Sequence, residues 1–137
     1  MKEVSGILVK YQKTCLLCKR APGENLENFW SIPCGSVEKN EDILSAAIRE
    51  FKEETDIRLP INSIVYISTV LNQNKFKTIK SIMHVFGYNS DKEIKPNLKN
   101  AKDGFEHTEC RYFGLKDVDD LKITPKLKEI IKKALSN

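Results

Sequence analysis

The apolar positions of the chain follow a strand-like pattern in several short runs, and each run is bounded by polar or turn-forming residues. Ser5–Tyr11 and Lys13–Cys18 are separated by a short polar turn, which predicts a β-hairpin. Two longer runs, joined across Asn72-Gln73-Asn74, predict a second pair of strands. The six predicted strands are Ser5–Tyr11, Lys13–Cys18, Trp30–Pro33, Ser63–Leu71, Thr78–Tyr88 and Glu109–Leu115.

Helical spacing of apolar residues occurs in two places. One helix is predicted from Glu41 or Asp42 to about Thr55, and a second begins at Thr124-Pro125, with Thr as the N-cap and Pro in the first turn. The apolar positions of the first helix are Ile43, Leu44, Ala47, Ile48 and Phe51. Those of the second are Leu127, Ile130, Ile131, Ala134 and Leu135.

Several strands around a central helix, followed by a terminal helix, predict an α/β fold with a mixed sheet and helices on both faces. The 137 residues suffice for one domain with a real core, so we expect a single domain over residues 1–137. The segment from Ala21 to Phe29 contains Pro22 and Gly23 and is predicted to be a loop.

Composition narrows the classes of partner. With 40% hydrophobic and 31% charged residues, the chain is expected to be a soluble globular protein. The N-terminal residues show no signal-peptide cleavage pattern, so the expected location is the cytoplasm. It has no run of 18 apolar residues, so no membrane span is predicted. The net charge of +4 suits an anionic small molecule, and the lysines are too dispersed to predict a stable nucleic-acid partner. A homodimer is possible through strand edges.

The four cysteines predict neither a zinc site nor a disulfide. Cys15 and Cys18 lie three apart in a strand-like run, where they face opposite sides of the sheet. Cys34 and Cys110 are solitary, so we expect free thiols.

Three glutamates on the first predicted helix are candidate metal ligands. Glu50, Glu53 and Glu54 project within roughly a 100° arc, where carboxylates repel one another unless a cation lies among them. Oxygen ligands at this density suit Mg²⁺ or Mn²⁺. Arg49 lies one turn before Glu53 and is predicted to bind that carboxylate. Glu41 lies on the side opposite Glu50, and its predicted role is at the helix N-terminus.

The residues around these glutamates have a specific spacing. A Glu-rich helix face alone is usually only solvated. From Gly35 to Ile57, however, the chain reads G-x5-E-x7-R-E-F-x-E-E-x-D-I. This closely resembles the signature of the Nudix hydrolases, G-x5-E-x7-R-E-U-x-E-E-x-G-U, in which U is a bulky apolar residue. The one departure is Asp56, at the predicted helix end, where Asp tolerates the left-handed conformation that Gly adopts freely.

The resemblance implies a Nudix-like α/β/α sandwich, in which the catalytic helix follows a Gly-containing loop. It implies that Glu50, Glu53, Glu54 and the carbonyl of Gly35 bind Mg²⁺, with Mn²⁺ as an alternative. We expect Glu53 and Glu54 to be the principal ligands. Glu50 is either a third ligand or the base that activates water, and the sequence does not separate these roles.

Residues outside the signature are further candidates. Glu106 is placed by the resemblance as an extra ligand or base, whereas Glu109 is a weaker candidate for that role. Arg20 could contact phosphate or be a surface charge, and Trp30 could stack on a base or be a core aromatic. The two histidines, His84 and His107, are interpreted as structural or surface residues because no nucleophile accompanies them.

The predicted function is a Mg²⁺-dependent pyrophosphohydrolase acting on a nucleoside diphosphate linked to another group. The short chain is most similar to MutT-like Nudix enzymes, which cleave nucleoside or deoxynucleoside triphosphates. Nucleotide-sugar and ADP-ribose hydrolysis remain alternatives. A Nudix-like module that senses nucleotides without cleaving them is a further alternative, although such modules typically lack one or more of the signature glutamates, all of which are present here.

Overall fold

The computed structural model describes residues 1–73 and 75–136, so Asn74, in the predicted connection between two strands, lies outside the described residues. The strands and helices follow one another in a mixed α/β order. The strands are β1 (Lys2–Tyr11), β2 (Thr14–Arg20), β3 (Trp30–Ser31), β4 (Cys34–Ser36), β5 (Val65–Gln73), β6 (Ile79–Ser90) and β7 (His107–Gly114). The helices are α1 (Ile43–Thr55), α2 (Leu115–Val118) and α3 (Pro125–Leu135).

The sheet is mixed, as predicted. Strand β1 runs parallel to β6, whereas it pairs antiparallel with β2 and with β4. The predicted hairpin is present, but β1 and β2 pair only beside the turn, at Lys10↔Cys15 and Tyr11↔Thr14. Beyond these residues the two strands separate. There, β1 pairs with β4, whereas β2 pairs with β3 on one edge and with β7 on the other.

Alternating residues of the central strands pack on opposite faces of the sheet, as a period of two requires. Ile7 and Val9 belong to a core cluster that includes Ala47, Ile48 and Phe51 of α1. Leu8 belongs to the other cluster, with Leu17 of β2 and residues of α3. The sheet therefore lies between α1 and α3, which confirms the predicted sandwich.

Both ends of α1 are fixed by local backbone chemistry. Asp42 is the N-cap, and its side chain accepts a hydrogen bond from the Ser45 N–H at 2.9 Å. Asp56 follows the last helical residue in the left-handed conformation, with φ 66°, as predicted. At the terminal helix, Thr124 is the N-cap and Pro125 the first helical residue, which also confirms the prediction.

The prediction of four free cysteines is wrong for two of them. Cys18 in β2 and Cys110 in β7 form a disulfide, and their Cα atoms lie 4.0 Å apart. These cysteines are 92 residues apart in sequence, and only the antiparallel pairing of β2 with β7 places them opposite each other. Cys15 and Cys34 are free.

Among the residues described, no helix has the length and apolar character needed to cross a membrane.

Candidate active site

A cavity of about 680 Å³ opens where β1 and β2 separate. One part of its wall is acidic and another part is apolar. The acidic part includes Glu50, Glu54, Asp103 and Glu106, whereas the apolar part includes Leu26, Phe29, Met83 and Leu127. A volume of this size is typical of small-molecule sites in proteins.

Three acidic side chains come together beside this cavity, and two of them line it. Glu50, Glu53 and Asp103 each offer a carboxylate oxygen, and these oxygens lie within 4.8 Å of one another. The Asp103 backbone N–H donates to the Glu53 carbonyl at 2.6 Å, which fixes the segment before β7 against the end of α1. Sequence reasoning missed Asp103, because nothing in its spacing relates it to the glutamates 50 residues earlier.

Glu54, the other expected principal ligand, lies deeper and outside this group of three. Its side chain is about 1% exposed, and its Oε1 accepts a hydrogen bond from the Cys34 N–H at 3.3 Å. Burial, together with the nearby charges of Glu106 and Glu50, raises the pKa of Glu54 to about 9. The carboxyl group is therefore protonated at neutral pH in the absence of a cation.

Arg49 holds the acidic residues of the signature in place. Its Nη1 donates to Glu50 at 2.9 Å and, as predicted, to Glu53 at 3.1 Å. Its Nε and Nη2 bind both oxygens of Glu41, at 2.9 and 3.0 Å. Glu41, which lies directly before the N-cap Asp42, is thus also a bidentate partner of Arg49, an interaction that was not predicted. The hydrogen bond from Arg49 lowers the pKa of Glu41.

Residue 35 is a glycine at a point where the Glu50 carboxyl group occupies the space that a side chain would fill. A Cβ atom at residue 35 would lie 2.1 Å from the carboxyl carbon of Glu50, so no larger residue fits without moving this side chain. Burial raises the pKa of Glu50, an effect that the Arg49 hydrogen bond opposes. The signature Gly therefore lets the backbone of β4 approach the acidic cluster closely.

Glu106 and Arg20 form an ion pair on the wall of the same cavity. Arg20 Nη1 lies 3.8 Å from Glu106 Oε1, and its Nε donates to the Asn25 carbonyl at 3.2 Å. Burial and the neighbouring Asp103 raise the pKa of Glu106. Glu109 instead pairs with Arg111 and does not line the cavity.

Trp30 is a core aromatic that also contributes to the cavity wall. It is 8% exposed and packs edge-on against Phe113, with 4.9 Å between ring centroids. The neighbouring Phe29 lies beneath the Lys122 ammonium group and lines the cavity as well.

The two histidines have different environments. His84 Nε2 lies 2.6 Å from the half-exposed Glu3, which is an ordinary structural pairing. His107 is buried at the start of β7, and its Nε2 lies 3.6 Å from Glu54 Oε1. Its location next to a signature glutamate was not predicted, because only the tertiary fold brings β7 against α1.

Fold and site together define a protein of the α/β/α class with a cluster of carboxylates beside a cavity of small-molecule size. The NUDIX domain model matches residues 2–134, and the chain therefore belongs to the NUDIX family. This match supports the prediction that the chain is a Nudix hydrolase. The most specific part of the sequence evidence remains the signature from Gly35 to Ile57.

Known proteins resemble this chain in a short segment of sequence or in fold. An RNA pyrophosphohydrolase of Pelagibacter ubique is 54% identical over 35 residues, which cover 26% of this chain and only 22% of that protein. A MutT NUDIX hydrolase from Burkholderia pseudomallei superposes with a TM-score of 0.75 at 20% identity, covering 96% of this chain and 95% of that one. An Ap4A hydrolase of C. elegans superposes with a TM-score of 0.69 at 19% identity, covering 99% and 96%.

Proposed function

We propose that this protein is a Mg²⁺-dependent pyrophosphohydrolase that converts a nucleoside or deoxynucleoside triphosphate and water into the monophosphate and pyrophosphate. The observation that carries the proposal is one cavity with an acidic wall beside an apolar wall. The acidic wall suits the cations that accompany a polyphosphate, and the apolar wall suits a nucleobase.

The acidic residues fit a hard divalent cation. Glu50, Glu53 and Asp103 offer only oxygen donors, close enough together to share an ion, and their mutual repulsion favours a cation among them. The Gly35 carbonyl and Glu54 are the proposed additional donors, as the family signature implies. A bound Mg²⁺ would supply neutralisation of phosphate charge and activation of water; Mn²⁺ offers the same chemistry.

The remaining polar residues have roles that need no cation. Arg20 is proposed to bind a phosphate oxygen through its guanidinium group, which reaches the cavity from the end of β2. Glu106, whose pKa is shifted upward toward neutrality, is the proposed general base, with Glu50 as the alternative. Arg49 is proposed to orient Glu50 and Glu53, to each of which it donates one hydrogen bond, without contacting the substrate itself.

The nucleoside is proposed to occupy the apolar part of the cavity. Phe29 and Leu26 come from the loop between β2 and β3, and Met83 comes from β6. Trp30 forms part of the wall by its edge, because most of its ring is packed in the core. The amide of Asn72, which donates to Ser81 at 3.0 Å, is a polar group available beside this wall.

A second candidate substrate is the 5′-triphosphate end of RNA. The 54% identity with an RNA pyrophosphohydrolase favours it, although the match extends over only 35 residues. The dispersed lysines oppose it, because binding to an RNA chain relies on clustered positive charge. ADP-ribose, nucleotide sugars and dinucleoside polyphosphates are the other substrates to compare.

The test is a panel of these compounds incubated with the full chain and Mg²⁺, with products separated by ion-exchange chromatography. The proposal predicts that at least one nucleoside triphosphate yields a monophosphate and pyrophosphate, and that a chelator stops the reaction. Preferential cleavage of 5′-triphosphate RNA would favour the second candidate. Absence of hydrolysis across the panel, with tight nucleotide binding, would instead identify a sensing module.

A further inference from the structure

His107 is a buried histidine that lies next to Glu54, a proposed ligand of the cation. Its side chain is about 1% exposed, and the fold places it in register with Arg20 of β2. The charged or titratable groups that face it are Glu54 from α1 and Arg20 from β2.

The two oxygens of Glu54 have different surroundings. Oε1 accepts the Cys34 N–H at 3.3 Å and lies 3.6 Å from His107 Nε2. No described residue hydrogen-bonds Oε2, and Glu54 lines the cavity. One oxygen is therefore held by the protein while the other is left for a ligand in the cavity.

The surroundings of Nδ1 indicate which nitrogen of His107 carries the proton. Nδ1 is buried and has no hydrogen-bond partner among the described residues. A buried N–H without an acceptor is rarer and costlier than an acceptor with an unused lone pair. A ring proton therefore belongs on Nε2, the nitrogen that lies 3.6 Å from Glu54 Oε1. At 3.6 Å this contact is longer than a hydrogen bond, and active-site contacts of this kind often tighten into hydrogen bonds when the ligand binds.

We propose that His107 is a positioning residue that holds Oε1 of Glu54 through Nε2–H and so presents Oε2 to the divalent cation. This inference rests on the proposed function, because it takes Glu54 to be a cation ligand. It deepens that proposal by adding a residue outside the signature. Residues that hydrogen-bond a metal ligand typically alter metal affinity by about 10- to 100-fold when they are removed.

The experiment measures Mn²⁺ affinity from the paramagnetic resonance signal of free Mn²⁺, using the full chain without nucleotide. His107→Phe removes both nitrogens at similar volume. His107→Gln retains an amide nitrogen near the Nε2 position, whereas His107→Asn retains one only near the Nδ1 position. His84→Phe is the matched control, since this ring pairs with the half-exposed Glu3 and does not line the cavity.

His107→Phe and His107→Asn should weaken Mn²⁺ binding by about tenfold or more, and His107→Gln should remain within about threefold of the wild type. His84→Phe should bind as the wild type does. Thermal unfolding without metal identifies variants that fail to fold; if His107→Phe does not fold, the comparison of Gln with Asn decides.

The inference is overturned if His107→Phe or His107→Asn binds Mn²⁺ like the wild type, or if His107→Gln loses as much affinity as His107→Asn. A wild-type chain that binds no Mn²⁺ would overturn both this inference and the metal dependence of the proposed function. The expected affinity pattern without any nucleotide hydrolysis would overturn the proposed function alone.

Discussion

At the residue scale, the candidate site depends on how closely a backbone approaches a carboxylate. Gly35 leaves the space that the Glu50 carboxyl group fills, and Arg49 donates a hydrogen bond to that group. The signature spacing predicted both residues, but it did not indicate why the first must be Gly. The reason is a contact between residues 15 positions apart, which only the folded chain brings together.

Replacing Gly35 by Ala should disable the site while leaving the fold intact. The added Cβ would lie 2.1 Å from the Glu50 carboxyl carbon and displace it, and a misplacement of about 1 Å can cost about 10²-fold in rate. Steady-state hydrolysis of the best substrate measures the effect. Gly114→Ala is the matched control, because a Cβ there meets nothing closer than 3.8 Å. Equal activity of the two variants would contradict this explanation.

Glu54 should make the metal-free protein less stable as the pH rises. Its pKa is raised from 4.5 to about 9 on folding, so between these values the folded state binds a proton that the unfolded state has lost. The pKa of His107 is lowered from 6.5 to about 4 on folding, so between these values the unfolded state binds a proton that the folded state lacks. Below about pH 6.5 this histidine therefore makes stability rise with pH. From about pH 6.5 to 9, stability should therefore fall, by no more than about 1.4 kcal/mol per pH unit.

Urea unfolding in the presence of a chelator, repeated across this pH range, measures the slope. Glu54→Gln should remove most of it, because the amide does not titrate. A slope that is the same in both proteins would show that another group is responsible.

At the scale of elements, α1 was predictable because its determinants are local. Its apolar period, its caps and its acidic residues all lie within 23 residues of sequence. The elements that complete the site were less predictable. Asp103 precedes β7 and His107 begins it, and their positions beside α1 depend on strand pairing over long sequence separations. The disulfide between β2 and β7 was missed for the same reason.

Reduction of the Cys18–Cys110 bond should destabilise the pairing of β2 with β7. Removing a disulfide that closes a long loop typically costs about 2–4 kcal/mol of stability. Denaturant unfolding with and without a thiol reductant measures the change. In Cys110→Ser the reductant should have no effect, which makes this variant the control. An unchanged unfolding midpoint of the reduced wild type would contradict the prediction.

At the scale of the whole molecule, the separation of β1 from β2 links fold to function. Both strands continue the same sheet, but each acquires a different partner, and the cavity opens between them. Helix α1 and the segment before β7 supply the acidic wall, while β6 and α3 contribute apolar side chains. The sandwich could be predicted from strand and helix order, but the cavity could not, because it depends on where two paired strands stop pairing.

The central claim is that the acidic cluster catalyses metal-dependent hydrolysis. The most direct test is the rate of pyrophosphate release by Glu53→Gln, compared with Glu129→Gln, the same change at an exposed residue of α3. The account predicts that Glu53→Gln lowers the rate by more than about 100-fold, and that Glu129→Gln keeps the wild-type rate. Removing a residue that only hydrogen-bonds a metal ligand typically lowers activity by about 10- to 100-fold, so a larger loss indicates a direct role of Glu53. Hydrolysis by Glu53→Gln at the wild-type rate would contradict it.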